Sequence, residues 1–404
     1  MPEMKDSGID TIGQIPISWK ETRLKYLCEV QTGNEDTQNA NPDGEYPFYV
    51  RSPIIERCDR FTFDGEGILV AGDGAGAGRI FHHAFGKYAV HQRVYRLSTF
   101  KFNADFIHYY LSNLFPHEMD KGSAQSTVPS MRLPMLLNFK LFIPSSEEAI
   151  RITSFLDSKC AEIDALVADI QSEIEILEEY KKSVITEAVT KGLNPDARMK
   201  DSGVQWIGMM PEHWECIKGK YVLKYLQKPV REDDGVITCF RDGEVTLRSN
   251  RREDGFTMSD KEIGYQGIDV GDLVVHGMDG FAGSIGISDS RGKASPVLNV
   301  LDTEMDKRYV MYYLRSMAYT DVFLALATGI RVRSCDLRWN KLAELLYPVP
   351  PLDEQIKISA HIDDTLEEAN AVIAIKKKQL ETLEEYKKSV IYEYVTGKKE
   401  VPLS

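Results

Sequence analysis

The nine residues LEEYKKSVI occupy positions 177–185 and recur, letter for letter, at positions 383–391 of this 404-residue chain. Further matches accompany them, because MKDSG at 4–8 recurs at 199–203 and is followed in both copies by Ile-Gly, Pro and Trp at the same spacing. The early matches lie 195 residues apart and the nonapeptides 206 apart, so the second copy holds about eleven additional residues between its ends. The chain is therefore an internal repeat, which is the feature that decides the fold.

Each copy has three parts: a short opening segment that ends near the Trp, a middle, and a tail. The middles run from about 20 to 143 and from about 215 to 349, and they hardly match each other, whereas the ends of the two copies do. This pattern predicts one scaffold that carries two different recognition surfaces.

The tails are predicted to be long helices. Pro144-Ser145-Ser146-Glu147-Glu148 supplies a serine cap and acidic residues in the first turn, and no Pro or Gly follows until Gly192. Apolar residues then recur at heptad-like spacing in both tails, the second of which runs from Leu352 to about Val395. The predicted seam comprises Leu156, Ile163, Ile170, Leu177 and Val184 in the first tail and Ile362, Leu366, Ala369, Ile373, Leu380, Leu383 and Val390 in the second.

A second seam position of the first helix is supplied either by Leu166 and Tyr180 or by Val167 and Ile174. A heptad pattern of this length is typical of a coiled coil. An antiparallel pair of the two helices would place one recognition domain at each end, related by a pseudo-twofold axis. The alternative is that each helix packs only on its own domain.

The net charge of −13 argues, taken alone, against a nucleic-acid partner. The acidic excess is concentrated in the two tails, which hold 11 acidic and 5 basic residues between 146 and 192, and 11 and 8 between 352 and 400. The middles are consequently close to neutral, and a basic face on them remains compatible with the composition.

The middles contain a glycine-rich pattern that invites a nucleotide-binding interpretation. Residues 61–79 predict a strand, a turn and a strand, and 270–286 repeat that pattern. Gly72 to Ala77 fits G-x-G-x-x-[GA], but no acidic residue lies at 92–99 and no clear helix follows. A tight β-turn is the preferred interpretation. A nucleotide-dependent hydrolase that uses Gly72 to Gly78 is the enzyme alternative.

Other catalytic or metal-binding patterns are not found. His82, His83 and His91 cluster without a ligand motif, so we expect surface or hydrogen-bonding histidines and no metal. The six cysteines form no CxxC pair, which fits a reducing cytosol, and no apolar run approaches the ~20 residues of a membrane span. We therefore expect a cytoplasmic protein with no catalytic residues and no membrane partner.

Basic and polar loops close to the end of each middle are the candidate DNA contacts. Arginine suits guanine edges and phosphates, and small polar side chains suit base edges or the backbone. The loops lie at 121–132 and 328–338, with a further arginine cluster at 248–252 and one arginine after the glycine-rich segment. The candidate residues are Arg79, Lys121, Ser123, Gln125, Ser126, Arg132, Arg248, Arg251, Arg252, Arg331, Arg333 and Arg338.

Taken together, these motifs resemble the specificity (S) subunits of type I restriction-modification systems over nearly the whole chain. The resemblance rests on the doubled MKDSG…IG…P…W segment, on the Gly-Asp-Leu-Val-Val strand at 271–275, on PVPPLDEQI at 348–356 and on the doubled nonapeptide. The first copy departs from the family pattern at Ala149, where the family usually has Gln.

The resemblance implies an α+β protein in which two β-rich target recognition domains are separated by a long antiparallel two-helix coiled coil. The implied segments are a recognition domain at 1–143, a spacer helix at 144–193, a second recognition domain at 194–349 and a distal helix at 350–404. Each domain would read one half of a split site in double-stranded DNA. A coiled-coil scaffold without sequence-specific DNA contact is the alternative.

The resemblance also implies partners. The helix pair would fix the spacer and dock two modification subunits, which are adenine methyltransferases, and restriction or translocase subunits would join through them. The chain itself would hold no cofactor and catalyse nothing. S-adenosylmethionine, ATP and Mg would be bound by the partner subunits.

Overall fold

A computed structural model describes residues 3–122, 129–251, 263–326 and 337–402. The chain divides into two compact units, the first formed by Met1–Ile170 with Lys377–Ser404 and the second by Gln171–Lys376. Each unit contains one middle of the repeat together with part of each long helix. The helices are α1 (Ala104–Gly122), α2 (Leu133–Asn138), α3 (Ser146–Lys191), α4 (Gly219–Val222), α5 (Lys307–Tyr319), α6 (Val322–Ala325), α7 (Trp339–Leu342) and α8 (Leu352–Val395).

The first unit holds twelve of the described strands, arranged as two four-stranded sheets and two strand pairs. Its strands are β1 (Met4–Asp6), β2 (Gln14–Pro16), β3 (Lys20–Arg23), β4 (Glu29–Thr32), β5 (Tyr46–Tyr49), β6 (Glu56–Cys58), β7 (Phe63–Asp64), β8 (Gly67–Ala71), β9 (Phe81–Ala84), β10 (Lys87–Val90), β11 (Val94–Ser98) and β12 (Lys140–Ile143). The sheet orders are β4-β11-β8-β9 and β6-β5-β10-β7, with β1 paired to β2 and β3 to β12.

The second unit holds the other twelve described strands, with one four-stranded sheet of order β16-β23-β20-β21. Its strands are β13 (Met199–Asp201), β14 (Met209–Pro211), β15 (Glu215–Lys218), β16 (Leu223–Leu226), β17 (Ile237–Cys239), β18 (Val245–Leu247), β19 (Gln266–Ile268), β20 (Leu273–His276), β21 (Ile285–Ile287), β22 (Gly292–Ala294), β23 (Leu298–Thr303) and β24 (Leu346–Val349). The remaining pairs are β13-β14, β15-β24, β17-β18 and β19-β22.

The two units share one plan although their middles hardly match in sequence. The hairpin β1-β2 corresponds to β13-β14, the pair β3-β12 to β15-β24, and the sheet β4-β11-β8-β9 to β16-β23-β20-β21. They differ beside this sheet, where the first unit has a second four-stranded sheet and the second unit has two separate pairs. The internal repeat predicted from the ends of the copies therefore extends through the middles as a structural repeat.

The repeated Trp of each opening segment lies in the core of its unit. Trp19 packs edge-on against Phe106 of α1 at 5.9 Å between ring centroids, and Trp214 packs against Tyr309 of α5 at 6.5 Å. Both indoles are buried, and the Trp19 Nε1 donates to Glu148 at the start of α3 at 3.2 Å. Trp19 thereby joins the opening segment, the middle and the tail, and Trp214 shares a buried cluster with residues of the middle and of both long helices in its unit.

Within each unit, part of α3 packs against part of α8 in antiparallel fashion. In the first unit, Phe155 of α3 lies 4.5 Å from Tyr394 of α8 between ring centroids. In the second unit, Ile185 and Val189 share a buried cluster with Ile358 and Ile362. The early part of one helix therefore meets the late part of the other, and the predicted α+β fold with a long antiparallel helix pair is confirmed.

The seam side chains of both helices are buried or half-buried. Val167 and Ile174 are also half-buried, whereas Leu166 and Tyr180 are 51% and 50% exposed. Burial therefore favours Val167 and Ile174 as the second seam position. Leu156 and Ile163 additionally share a core cluster with residues of the first middle, so α3 packs both on its own domain and on its partner helix.

Two further properties concern the described part of the chain as a whole. The five cysteines within it are free thiols. In the same ranges, none of the helices combines the length and the apolar character that crossing a bilayer requires.

Candidate nucleic-acid interface

The glycine-rich segment of the first middle is a turn between two antiparallel strands. Residues 72–79, here named the first glycine turn, connect β8 to β9, which pair in register from Gly67 with Ala84 to Val70 with Phe81. Gly74 and Gly78 have φ of 79° and 64°, a region that suits glycine. A dinucleotide loop leads into a helix, whereas this one leads into a strand, so the β-turn interpretation is confirmed.

The second unit has a turn at the equivalent place. Residues 277–284, the second glycine turn, connect β20 to β21, and Gly283 has φ of 92°. In both units the turn follows the buried, apolar strand of the four-stranded sheet, β8 or β20. The sheet therefore presents both turns at the same edge of the repeated architecture.

The chain returns to each glycine turn through the same backbone hydrogen bonds. The Met131 N–H donates to the Gly72 carbonyl at 2.8 Å, and the Leu337 N–H donates to the Gly277 carbonyl at 2.9 Å. Met131 and Leu337 are both buried, and each is followed by an exposed arginine. The two predicted loops, 121–132 and 328–338, thus end at matching positions, a correspondence that the sequence alone does not show.

Each glycine turn carries an aspartate that pairs with an exposed arginine. Asp73 accepts from Arg51 at 2.9 Å, and Asp279 accepts from Arg241 at 3.2 Å. The arginines follow β5 and β17, and their side chains are 44% and 64% exposed. Such a carboxylate orients the guanidinium while leaving part of the arginine side chain exposed to solvent, where it can meet phosphate oxygens or base edges.

Two histidines lie near the turns, of which His91 is buried and His276 is half-buried. Burial is the main cause that lowers the pKa of His91, and the nearby Arg51 adds to it. Burial likewise lowers the pKa of His276, whose Nδ1 accepts from the Asp279 N–H at 2.9 Å. His276 thus supports the second glycine turn directly. The His91 Nδ1 accepts from the Arg93 N–H at 3.0 Å, and the Arg93 carbonyl accepts in turn from the Gly72 N–H at 2.8 Å.

Several predicted DNA contacts lie on the described surface. Arg79 ends the first glycine turn and pairs with Asp120, while Arg132 and Arg338 are exposed and directly precede α2 and α7. Arg251 lies over the Phe240 ring at 4.2 Å and pairs with Asp242, and Arg248 donates to Thr238 at 3.2 Å. Their role as DNA contacts stays a prediction.

The other predicted contacts lie outside what the structure describes. Lys121 lies in the last turn of α1, but its side chain is outside the described part of the structure. The remaining such residues are Ser123, Gln125, Ser126, Arg252, Arg331 and Arg333.

Sequence reasoning missed Arg51 and Arg241, which the structure places at the glycine turns. Their partners, Asp73 and Asp279, are 22 and 38 positions away, so no local motif joins them. The only sequence signal is an arginine that follows a short apolar strand in each middle, and arginines on solvated surfaces are too common for that signal to stand out.

The histidine cluster makes hydrogen bonds, as predicted. His82 contacts the Ser52 carbonyl at 3.1 Å, and His83 lies between Glu66 at 3.0 Å and Asp105 at 3.4 Å. Glu66, His83 and Asp105 place one ligand atom each within 4.8 Å of one another. Both ring nitrogens of His83 therefore face a carboxylate oxygen, and the three side chains form one polar cluster.

The fold and the paired turns define a repeat protein with two dissimilar surfaces on one helical scaffold. Residues 16–176 match the family model of the type I restriction modification DNA specificity domain. Among solved structures, a chain from a study of complex assembly and conformational transition of the type I R-M system has the same fold, with a TM-score of 0.67 at 13% identity over 95% of this chain and 99% of that one.

Curated relatives carry the same description. The specificity subunit of the type I restriction enzyme EcoDI from Escherichia coli is 21% identical over 89% of this chain and 84% of its own length. The MjaVIII specificity subunit from Methanocaldococcus jannaschii is 24% identical over 95% of this chain and 94% of its own. The resemblance predicted from the sequence is thereby confirmed: the chain is similar to type I specificity subunits over most of its length.

Proposed function

We propose that this chain is the DNA-specificity subunit of a type I restriction-modification complex and that each unit reads one half of a two-part DNA site. The observation that carries the proposal is the pair of glycine turns, which have equivalent anchors and arginine–aspartate pairs but lie in middles of different sequence. Equivalent anchors on dissimilar middles suit a protein that meets DNA twice in the same way and reads a different sequence each time.

The acidic total charge is compatible with this function, because the exposed arginines are grouped at the glycine turns and give these places a local positive charge. Phosphate contact replaces the counterions of the duplex, so binding weakens steeply as salt concentration rises. The aspartate partners limit non-specific attraction, since a paired arginine gains from DNA only where the geometry of the groove lets it exchange or share its partner.

The partner subunits supply the chemistry in this proposal. Two modification subunits dock on the helix pair and hold S-adenosylmethionine, and restriction subunits, where present, bind through them with ATP and Mg. The chain contributes recognition, needs no cofactor of its own and acts in the cytoplasm. Purified alone, it is expected to bind neither ATP, nor NAD, nor S-adenosylmethionine.

The test is an exchange of one middle. Residues 20–143 are replaced by the corresponding segment of a relative with a different site, the modification complex is reconstituted, and methylated motifs are mapped by sequencing. One half of the motif changes, while the other half and the length of the gap stay as they were. Replacing 215–349 instead serves as the matched control and changes the opposite half.

Two outcomes contradict the proposal. Alteration of both halves by a single exchange would show that the units do not read separately. Methylation without sequence preference by the unmodified complex would show that the chain is a scaffold rather than a specificity subunit.

A further inference from the structure

Tyr95 and Asn299 occupy equivalent positions in the two units although their side chains are different. Tyr95 lies on β11 opposite Val70 of β8, and Asn299 lies on β23 opposite Val275 of β20. Val70 and Val275 lie two residues before the glycine turns, so each of the two side chains stands beside its turn. Tyr95 is half-buried and Asn299 is buried.

Both side chains donate a hydrogen bond to the same backbone position. The Tyr95 hydroxyl donates to the Met131 carbonyl at 3.4 Å, and the Asn299 Nδ2 donates to the Leu337 carbonyl at 2.9 Å. Asn299 also donates to the Val275 carbonyl at 3.1 Å within its own sheet. Met131 and Leu337 are the residues whose N–H groups already bond to the glycine turns, so each is held from both sides of its backbone.

The fixed backbone of Met131 or Leu337 determines the position of the arginine that follows it. Arg132 and Arg338 come directly after Met131 and Leu337, are exposed, and have extended backbones with φ/ψ of −96°/139° and −66°/164°. The two hydrogen bonds of the preceding residue fix the Cα of the arginine relative to the turn. Fixing the start of a contact side chain reduces the entropy lost on binding and sharpens discrimination between bases.

We propose that Tyr95 and Asn299 are positioning residues for DNA recognition, each holding the chain that presents Arg132 or Arg338 beside the glycine turn of its unit. The two side chains differ in chemistry but perform the same task, because each donates to the carbonyl at the equivalent backbone position of its own unit. This inference rests on the proposed function, and it assigns to residues outside the DNA surface a role in how sharply each half of the site is read.

The experiment uses the full chain reconstituted with its modification subunits. Tyr95→Phe removes one hydroxyl and Asn299→Ala removes one amide, and methylation is measured on DNA carrying the recognised site or single-base variants in each half. Tyr95→Phe lowers discrimination roughly threefold to tenfold in the half read by the first unit, as expected for loss of one hydrogen bond. Asn299→Ala removes two hydrogen bonds and lowers discrimination by at least as much, in the other half only.

Two matched controls lose hydrogen bonds within the same units but away from the turns. Tyr109→Phe, like Tyr95→Phe, removes one hydroxyl, and Thr303→Val removes two hydrogen bonds because the Thr303 Oγ1 also accepts from the Met305 N–H at 3.1 Å. The Tyr109 hydroxyl donates to Asp157 at 2.7 Å, and the Thr303 hydroxyl donates to the Val222 carbonyl at 2.6 Å. Tyr109→Phe and Thr303→Val leave discrimination in both halves unchanged, even where they lower the melting temperature. Restriction of the loss to one half is the readout that a merely structural role does not produce.

Three results separate the possibilities. Unchanged discrimination in both variants overturns the positioning role, and so does an equal loss in both halves, which reports general destabilisation. Since Tyr95→Phe removes only one hydroxyl from a half-buried side chain, it tests the inference even where Asn299→Ala does not fold. Absence of any sequence preference in the unmodified complex overturns the proposed function instead.

Discussion

Arg291 joins three segments of the second unit through its guanidinium group. It donates to the Asp234 carboxylate at 2.8 and 3.0 Å and to Asp269 at 2.5 Å. Lys228 completes the network by donating to Asp269 and to Asp272 at 2.8 and 2.6 Å. The Asp234 side chain is only 4% exposed, so its ionised carboxylate is stabilised by the Arg291 guanidinium and not by water.

This network lowers the pKa of its carboxyl groups. The hydrogen bond from Arg291 is the main cause of the low pKa of Asp234, and hydrogen bonds from Lys228 and Arg291 lower the pKa of Asp269 to about 2. Unfolded aspartates titrate near ~3.9. The ionised network therefore contributes stability that is complete above that value and is lost as pH falls through the folded pKa values.

We expect the free energy of unfolding to decrease as the pH falls from about 4 to about 2, partly because of this network. Asp234→Asn should make that decrease smaller by about 1 kcal/mol, a figure that allows for solvent screening around the half-exposed Asp269. Urea unfolding followed by circular dichroism at several pH values measures the effect. Asp233→Asn, at the exposed neighbouring position, is the control. If both variants have identical profiles of stability against pH, the network does not cause the loss of stability at low pH.

Residue-scale contacts of this kind were the least predictable part of the molecule. Arg291 lies 57 positions from Asp234 and 22 from Asp269, and neither spacing belongs to a helix or strand period. The same holds for Arg51 with Asp73. Tertiary folding decides which charges meet, whereas a sequence without an alignment shows only that arginines and aspartates are present.

At the scale of elements, the long helices were predictable and most strands were not. The helices α3 and α8 have 46 and 44 residues and start within two residues of the predicted segments at 144 and 350. Their heptad pattern is local and repeats many times, so it can be recognised from the sequence alone. The strands have two to six residues each, and their order is set by pairing across long stretches of chain.

The helix seam gives a prediction with a built-in control. Ile163 is 2% exposed in the core of the first unit, and Leu166, one turn further on, is 51% exposed. Ile163→Ala should lower the free energy of unfolding by about 2–4 kcal/mol, since it leaves a cavity. Leu166→Ala should change it by less than ~0.5 kcal/mol. Urea unfolding measures both, and a larger cost for Leu166→Ala would place the seam on the other face.

At the scale of the whole molecule, the chain uses one structural plan twice and varies it where recognition occurs. The parts that repeat in sequence are the opening hairpin, the Trp and the helix pair, which in each unit contact one another. The parts that differ in sequence repeat only in sheet order and in the anchors of the glycine turns. Under the proposed function, the scaffold and the recognition surfaces can therefore vary separately, and we expect that one middle can be exchanged without the other.

The proposed role of the helices predicts that their length sets the gap between the two halves of the DNA site. Seven residues inserted in both helices, after Ile170 in α3 and before Lys377 in α8, keep the seam in phase because they add one heptad. They lengthen each helix by ~10.5 Å at ~1.5 Å per residue, which corresponds to about three base pairs of ~3.4 Å. Motif sequencing should therefore find unchanged halves separated by a longer gap.

The same insertion should also weaken binding, because about three additional base pairs rotate one half-site by roughly 100° relative to the other at ~10.5 base pairs per turn. The duplex or the helix pair must twist to restore both contacts, and that deformation costs free energy. The control inserts the heptad into α3 alone, which throws the seam out of register and should abolish specific methylation. An unchanged gap after insertion in both helices would show that the spacing is fixed by the partner subunits and not by this chain.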